Sequence, residues 1–207
     1  CGGPEAVFNE SRKNLASLKI KSAIIDQITS KEIQDQAEKE IRDAAKYNIE
    51  IITLRDSRFP IRLTQCDDAP IVLYVKGKAD LNNEKVVAIV GTRRSSLYGE
   101  TICAELIQEL SGFNLLIVSG LAYGIDTKAH ENALKQNLET ASVLAHGLDR
   151  LYPYKNKKLA AEIVNHGCLV SDFPVSSSLL PGNFPARNRI IAGLSDAVIV
   201  VESGIKG

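Results

Sequence analysis

The chain has 207 residues, with 25 basic and 25 acidic side chains, a formal net charge of zero, 44% apolar residues and 5% aromatics. That length holds one large domain, or one domain with a small appendage, and the profile is that of an ordinary globular protein. Zero net charge excludes a molecule-wide basic field, so any nucleic-acid contact has to come from a local patch.

No apolar run reaches the roughly 18–20 residues of a membrane span, and no signal peptide is visible. The four cysteines (Cys1, Cys66, Cys103, Cys168) form no CxxC pair. They read as small buried residues of a reducing compartment, which makes the cytoplasm the expected location. The chain starts at Cys1, holds no methionine and stops one loop after a strong apolar strand, so a fragment of something longer is expected.

In chain order, 11–28 and 30–47 are helical in pattern. The second places Ile33, Ala37, Ile41 and Ala44/Ala45 on one stripe with charges between them, and Ser30 is an acceptable N-cap. Segments 49–54 and 70–75 read as short strands, and 76–85 as a polar turn. Residues 1–47 are therefore expected to be a helical segment, the remnant of a small N-terminal domain plus a lead-in helix. Beyond 48 a Rossmann-like domain is expected to run to 207, truncated at its C-terminal end. From residue 86 the pattern is regular. Apolar runs at 86–90, 115–119, 140–145, 168–171 and 197–201 alternate with helical stretches at 98–111, 125–134, 156–165 and 184–194. This predicts an α/β, Rossmann-like, mostly parallel sheet with helices on both faces, its last strand buried in the core.

Function in such a sheet lies at the carboxyl ends of the strands. Those ends carry Gly91-Thr92-Arg93-Arg94-Ser95-Ser96, then Ser119-Gly120 through Gly124-Ile125-Asp126, then 146–158 with Lys155, Lys157 and Lys158. The fourth strand leads to Pro181-Gly182-Asn183-Phe184-Pro185-Ala186-Arg187-Asn188-Arg189. Glycines, hydroxyls and cations gather on one rim, the chemistry of an anion site built from backbone N–H groups and guanidinium forks. Each piece also has a plainer reading. Gly91, Gly120 and Gly124 serve tight turns equally well, Arg93 and Arg94 serve as surface charges, and Asp126 serves as a cap. His130 reads as a packed histidine. His146 reads as a ligand contact or as the partner of a backbone carbonyl.

Several chemistries are excluded. There is no Gly-x-Gly-x-x-Gly fingerprint, no Walker loop, no Gly-x-Ser-x-Gly and no metal-ligand spacing. No carboxylate pair stands out as acid and base. The rim reads as a binding site with no catalytic residue, metal or cofactor.

Three motifs carry a resemblance. Val90-Gly91-Thr92-Arg93-x-x-Ser96-x-Tyr98-Gly99, Ser119-Gly120-Leu121-Ala122-x-Gly124-Ile125-Asp126-x-x-Ala129-His130 and Asn183-Phe184-Pro185-x-Arg187-Asn188-Arg189-Ile190-Ile191 resemble the DNA-processing protein A family (DprA, also called Smf) in order and spacing. The likeness covers about 86–207, with Phe59-Pro60 and the strand to Gly77 similar to the family's lead-in. It implies an extended Rossmann fold that binds single-stranded DNA and delivers it to a RecA-type recombinase in natural transformation and recombination. Carried over, its DNA-binding residues are Gly91, Thr92, Arg93, Ser96, Gly120, Gly124, Lys155, Lys157, Asn183, Phe184, Arg187, Asn188 and Arg189. A homodimer is implied for the full-length protein. The alternative is a nucleotide-binding or nucleoside-monophosphate-hydrolysing enzyme of a related Rossmann-like family. Such families carry Pro-Gly-Gly-x-Gly-Thr and a following glutamate, whereas Pro181-Gly182 here leads into Asn183-Phe184.

Overall fold

The computed structural model describes residues 4–204; residues 1–3, Cys1 among them, and 205–207 lie outside them. The chain falls into two compact units, Cys1–Asp43 and Ala44–Gly207, dividing four residues before the expected boundary.

The first unit holds α1 (Pro4–Phe8), α2 (Arg12–Ser17), α3 (Ser22–Ile28) and most of α4 (Lys31–Lys46). The single helix expected over 11–28 is two helices. Lys19 takes a left-handed φ of 58°, and no proline or glycine in the sequence announces that break. Ser11 caps α2 by accepting from the Asn14 N–H at 3.2 Å. Leu15 and Ile25, one from each helix, are the buried side chains of this pair.

The second unit is a seven-stranded sheet in the order β1-β2-β6-β5-β4-β3-β7. Its elements are β1 (Glu50–Thr53), α5 (Ile61–Thr64), β2 (Val72–Gly77), β3 (Val86–Gly91), α6 (Leu97–Leu110), β4 (Leu116–Ser119), α7 (Ile125–Lys135) and β5 (Glu139–Val143). A 3-10 turn (Tyr154–Asn156), α8 (Lys157–His166), β6 (Gly167–Ser171), α9 (Asn183–Leu194) and β7 (Ala197–Glu202) complete it. The five strands β6-β5-β4-β3-β7 are parallel, while β1 and β2 add antiparallel at one side. The α/β, mostly parallel architecture is therefore as expected, with β2 running two residues further, through Gly77.

Alternation along the central strands explains the double-sided cover. Leu116 and Val118 of β4 pack with Ile190, Ile191 and Leu194 of α9, while Ile117 packs with Ala129 and Ala133 of α7. Both faces of β4 are dry, which is why the strand reads as an unbroken apolar run. β7 is different. It is the edge strand beside β3, and its Val198 and Val200 are 47% and 59% exposed. The expectation of a buried last strand is corrected accordingly: only Val201 packs against the core, because β7 has a neighbour on one side.

An element that the pattern did not announce fixes the bottom of the sheet. Arg62 of α5 makes a two-pronged ion pair with Asp196 at 2.7 and 2.8 Å, and Asp196 also accepts the Val86 N–H at 2.8 Å. The starts of β3 and β7 are thereby locked together.

Candidate nucleic-acid interface

All four candidate loops leave the carboxyl ends of parallel strands and meet on one rim. The loop after β3 is held from beneath by Glu202 at the end of β7. The Thr92 N–H donates to the Glu202 carbonyl at 2.7 Å, and the Ser96 N–H donates to its carboxylate at 2.9 Å. The Ser96 hydroxyl donates to the same carboxylate at 3.2 Å and accepts the Gly99 N–H at 3.0 Å as the N-cap of α6. Ser96 therefore anchors the loop and has little left to offer a ligand.

The loop after β4 packs backbone on backbone against the first. The Ile125 N–H donates to the Thr92 carbonyl at 3.2 Å, and Gly124 sits at φ +74° with no room for a Cβ beside that carbonyl. A Cβ at Gly120 would meet the Arg187 guanidinium at 2.7 Å, and one at Gly91 would meet Ile125 at 2.7 Å. At each of these three positions the close approach leaves no room for a side chain.

Arg187 lies beneath this junction, 4% exposed. It donates to the carbonyls of Gly120, at 2.8 Å, and Val143. Asp126 is buried beside it and accepts the Ala122 N–H at 3.4 Å. Burial pushes the Asp126 carboxyl up; the Arg187 charge and the N–H groups of Ala122, Gly91 and Gly120 oppose that rise. Asp126 thus ties neighbouring loops rather than capping its own helix. His130, one turn further along α7, is fully buried and is pushed down to about 3 by that burial and by Arg187. Its Nδ1 meets the Thr140 hydroxyl at 2.7 Å, and that hydroxyl donates to the Ile117 carbonyl at 2.9 Å. The imidazole is therefore neutral with its proton on Nδ1.

The third loop turns on His146, which is a backbone partner rather than a ligand contact. The Tyr152 N–H donates to Nε2 at 3.2 Å, so Nδ1 carries the proton and donates to the Gly147 carbonyl at 2.9 Å. Tyr152 precedes a cis proline. Buried Asn156 donates to the Leu121 carbonyl at 3.0 Å and to Thr127 at 2.9 Å, fastening this loop to the second.

Two cavities open between these loops. The first, of about 1160 Å³, has Gly91, Thr92, Arg93, Phe184, Arg187 and Asn188 in its lining, together with Tyr152, Arg94 and the exposed valines of β7. In it the Arg93 guanidinium lies 5.3 Å over the Phe184 ring, and Tyr152 meets the same ring edge-on at 6.0 Å. The second cavity, of about 550 Å³, is lined by Arg93, Gly124 and Lys155 with Arg94 and Lys158.

The remaining candidates are not brought to either cavity. Gly120 and Ser96 lie in the scaffold. Asn183 is spent on the Ala145 and Ser178 carbonyls, each at 3.2 Å. Lys157 sits 5.6 Å over the Tyr154 ring outside both cavities. Arg189 is bound to Asp172 and to the Asp68 carbonyl. The expected convergence of Arg93, Lys157, Arg187 and Arg189 is thus corrected to Arg93 and Arg94 at the surface, with Arg187 as a floor. A signal for this was present. Positions two apart on a helix do not share a face, and Arg187 stands at i−3, i−4 and i−7 to the buried Ile190, Ile191 and Leu194. Tyr152 was not among the expected contacts, and an aromatic after a glycine-rich strand end was the available sign for it; Arg94 was read on the anion rim but lay outside the set carried over from the family.

Comparison with known proteins supplies the family. The family model described as DNA recombination-mediator protein A matches residues 50–207. The Smf protein of Synechocystis is 42% identical over 160 residues, covering 75% of this chain and 40% of that one. DNA processing protein DprA of Streptococcus pneumoniae is 42% identical over 154 residues, covering 74% of this chain and 54% of that one. The chain thus spans about half the length, or less, of these curated relatives. The crystal structure of the S. pneumoniae protein covers 98% of this chain and 77% of its own, at 33% identity and a TM-score of 0.75. DNA processing protein A of Helicobacter pylori, solved for its single-stranded DNA binding mode, covers 78% of this chain and 73% of its own, at 34% identity and a TM-score of 0.69. With three-quarters of its residues inside the family model and the strand-end loops to match, the chain belongs to the DNA recombination-mediator protein A family.

Proposed function

We propose that this chain binds single-stranded DNA without strong sequence preference, in the first cavity. The observation that carries the reading is the Arg93–Phe184–Tyr152 group: a cation over one face of a ring, and a second ring against its edge. Both rings line the cavity, where an unpaired base finds an aromatic surface and its phosphate finds a guanidinium. A duplex hides its bases, so the same group favours a single strand. Every base has a stacking face, so stacking on Phe184 and Tyr152 selects no sequence.

Family membership supports the wider role, in which the bound strand is passed to a RecA-type recombinase during DNA uptake and recombination by a homodimer of the full-length protein. The role is one of binding and delivery, placed in the cytoplasm; no helix among the described residues is long and apolar enough to cross a membrane. Arg93 and Arg94 are exposed on the rim and offer charge to a bound strand.

The test is fluorescence anisotropy of a labelled oligonucleotide, single- against double-stranded, across a salt series, with Arg93→Ala in parallel. Tighter binding of the single strand is expected, with a slope that Arg93→Ala makes shallower by about 0.7 for its one phosphate contact. Equal binding of both forms, or an unchanged slope, refutes the reading. Binding of a free nucleoside monophosphate with turnover moves the nucleotide enzyme into its place.

A further inference from the structure

We propose that the two cavities are one trough, and that the second holds the next phosphates of a strand whose bases sit in the first. This rests on the single-stranded DNA reading above. Three loops cross from one cavity into the other, two of them in consecutive residues. Thr92 lines the first, Arg93 and Arg94 line both, and Ser95 lines the second. Ala122 lines the first, while Tyr123 and Gly124 line the second. Tyr152 lines the first, and Lys155 and Asn156 line the second. The boundary is the Arg93–Arg94 pair, which borders both cavities.

The two halves differ in chemistry in the way that a nucleotide strand requires. The first carries the aromatic rings and the valines of β7. The second has five cations against three carboxylates in its lining, and its one exposed ring is Tyr123. Lys128 is consumed there by Glu131 at 3.1 Å and Glu100 at 3.5 Å. Arg94, Lys155 and Lys158 are exposed around it. A groove whose stacking surface gives way to a charged reach matches bases held at one end and backbone alone at the other. The contact is sequence-independent and lengthens the footprint without a second protein site.

The experiment compares oligothymidylates of about 4 and about 12 nucleotides, the range over which such grooves take up strand, by anisotropy on the whole chain. Lys158→Gln and Lys158→Glu alter a side chain that belongs to the second cavity alone; Arg93→Ala, at a residue that borders both cavities, is the comparison that should not discriminate by length. The longer strand is expected to bind more tightly. Lys158→Glu should weaken it about tenfold and leave the shorter one unchanged, and Lys158→Gln should lower its salt slope by about 0.7. Arg93→Ala should weaken both. If the short strand binds and the long one binds no tighter, the trough is overturned and the first-cavity reading stands. The same holds if the Lys158 variants affect both lengths equally, or neither. If neither strand binds the unaltered chain, the single-stranded DNA reading fails, and the trough fails with it.

Discussion

Replacing Arg187 by leucine separates a structural clamp from a DNA contact. The guanidinium is buried, donates to the carbonyls of Gly120 and Val143, and faces buried Asp126. Leucine cannot reproduce those bonds, so two carbonyls from neighbouring loops lose a donor and Asp126 loses its counter-charge. Each buried carbonyl left without its donor costs about 1–3 kcal/mol, and the loss of the facing charge at Asp126 adds to that. For a domain of this size each kcal/mol moves Tm by about 2–4 °C, so a fall on the order of 10 °C is expected by circular dichroism. The loss should also depend on pH. Burial already raises the Asp126 carboxyl, and without Arg187 it rises further. A carboxyl raised in the folded state favours folding at low pH and withdraws that support as pH climbs through its folded value. The deficit of Arg187→Leu should therefore be larger at pH 8 than at pH 5. Arg187→Lys, which keeps the charge but loses the planar fork, should fall between the two proteins. A loss below about 1 kcal/mol that is equal at both pH values would refute the clamp.

Three further outcomes are expected. Phe184→Ala should weaken single-strand binding by about 1–3 kcal/mol with little change in salt slope, since it removes a stacking face and no charge; titration at two salt concentrations tests it, and a loss confined to the slope would contradict it. His130 is neutral in the fold down to about 3 but takes a proton in the unfolded chain below about 6.5. Stability should therefore fall on acidification across that window, by at most about 1.4 kcal/mol per pH unit, with Asp126 offsetting part of it; urea titrations should show the slope flattened in His130→Gln, and identical slopes would exclude His130 as its source. Gly124→Ala forces a Cβ onto the Thr92 carbonyl at φ +74°, so it should cost more than about 1 kcal/mol and shift the Arg93 loop; unchanged Tm together with unchanged DNA affinity would show that the two loops do not share a fixed contact.

How far the sequence could be read depended on which interactions are local. The central strands were visible because both of their faces are dry: β4 runs Leu116-Ile117-Val118 without a polar residue, and β5 is buried from Thr140 to Val143 with only small polar side chains between its apolar ones. The edge status of β7 was not visible. Its Ala197-Val198-Ile199-Val200-Val201 run is as apolar as that of β4, and only the strand order shows that one face has no cover. The position of the site followed from the rule about strand ends, which concerns topology. The division of labour within it did not follow, because an arginine, a glycine or a serine has the same letter whether it serves a ligand or a neighbouring loop. Ser96, Asn183 and Arg189 were each drawn off by a long-range partner, namely Glu202, Ala145 and Asp172. Arg187 alone carried its own warning, standing on the apolar stripe of α9.

That division of labour has a consequence for how the chain meets DNA. With 25 basic and 25 acidic residues, it sets up no net field for a polyanion to follow from afar. Beyond a Debye length of about 8 Å at physiological salt the patch is screened, so capture depends on the last few ångströms of approach. In the first cavity the exposed cations are Arg93 and Arg94, and their loop is held in place by groups beneath and beside it. Glu202 fixes the loop from below, the Gly124 turn supports it from the side, and buried Arg187 ties the second loop to β5 through the Gly120 and Val143 carbonyls. A mobile pair of arginines would lose side-chain entropy on each phosphate it bound; this pair is borne on a loop ordered before the strand arrives. The buried charges, which contribute nothing to attraction at a distance, are what let two surface cations and two aromatic rings act as one site.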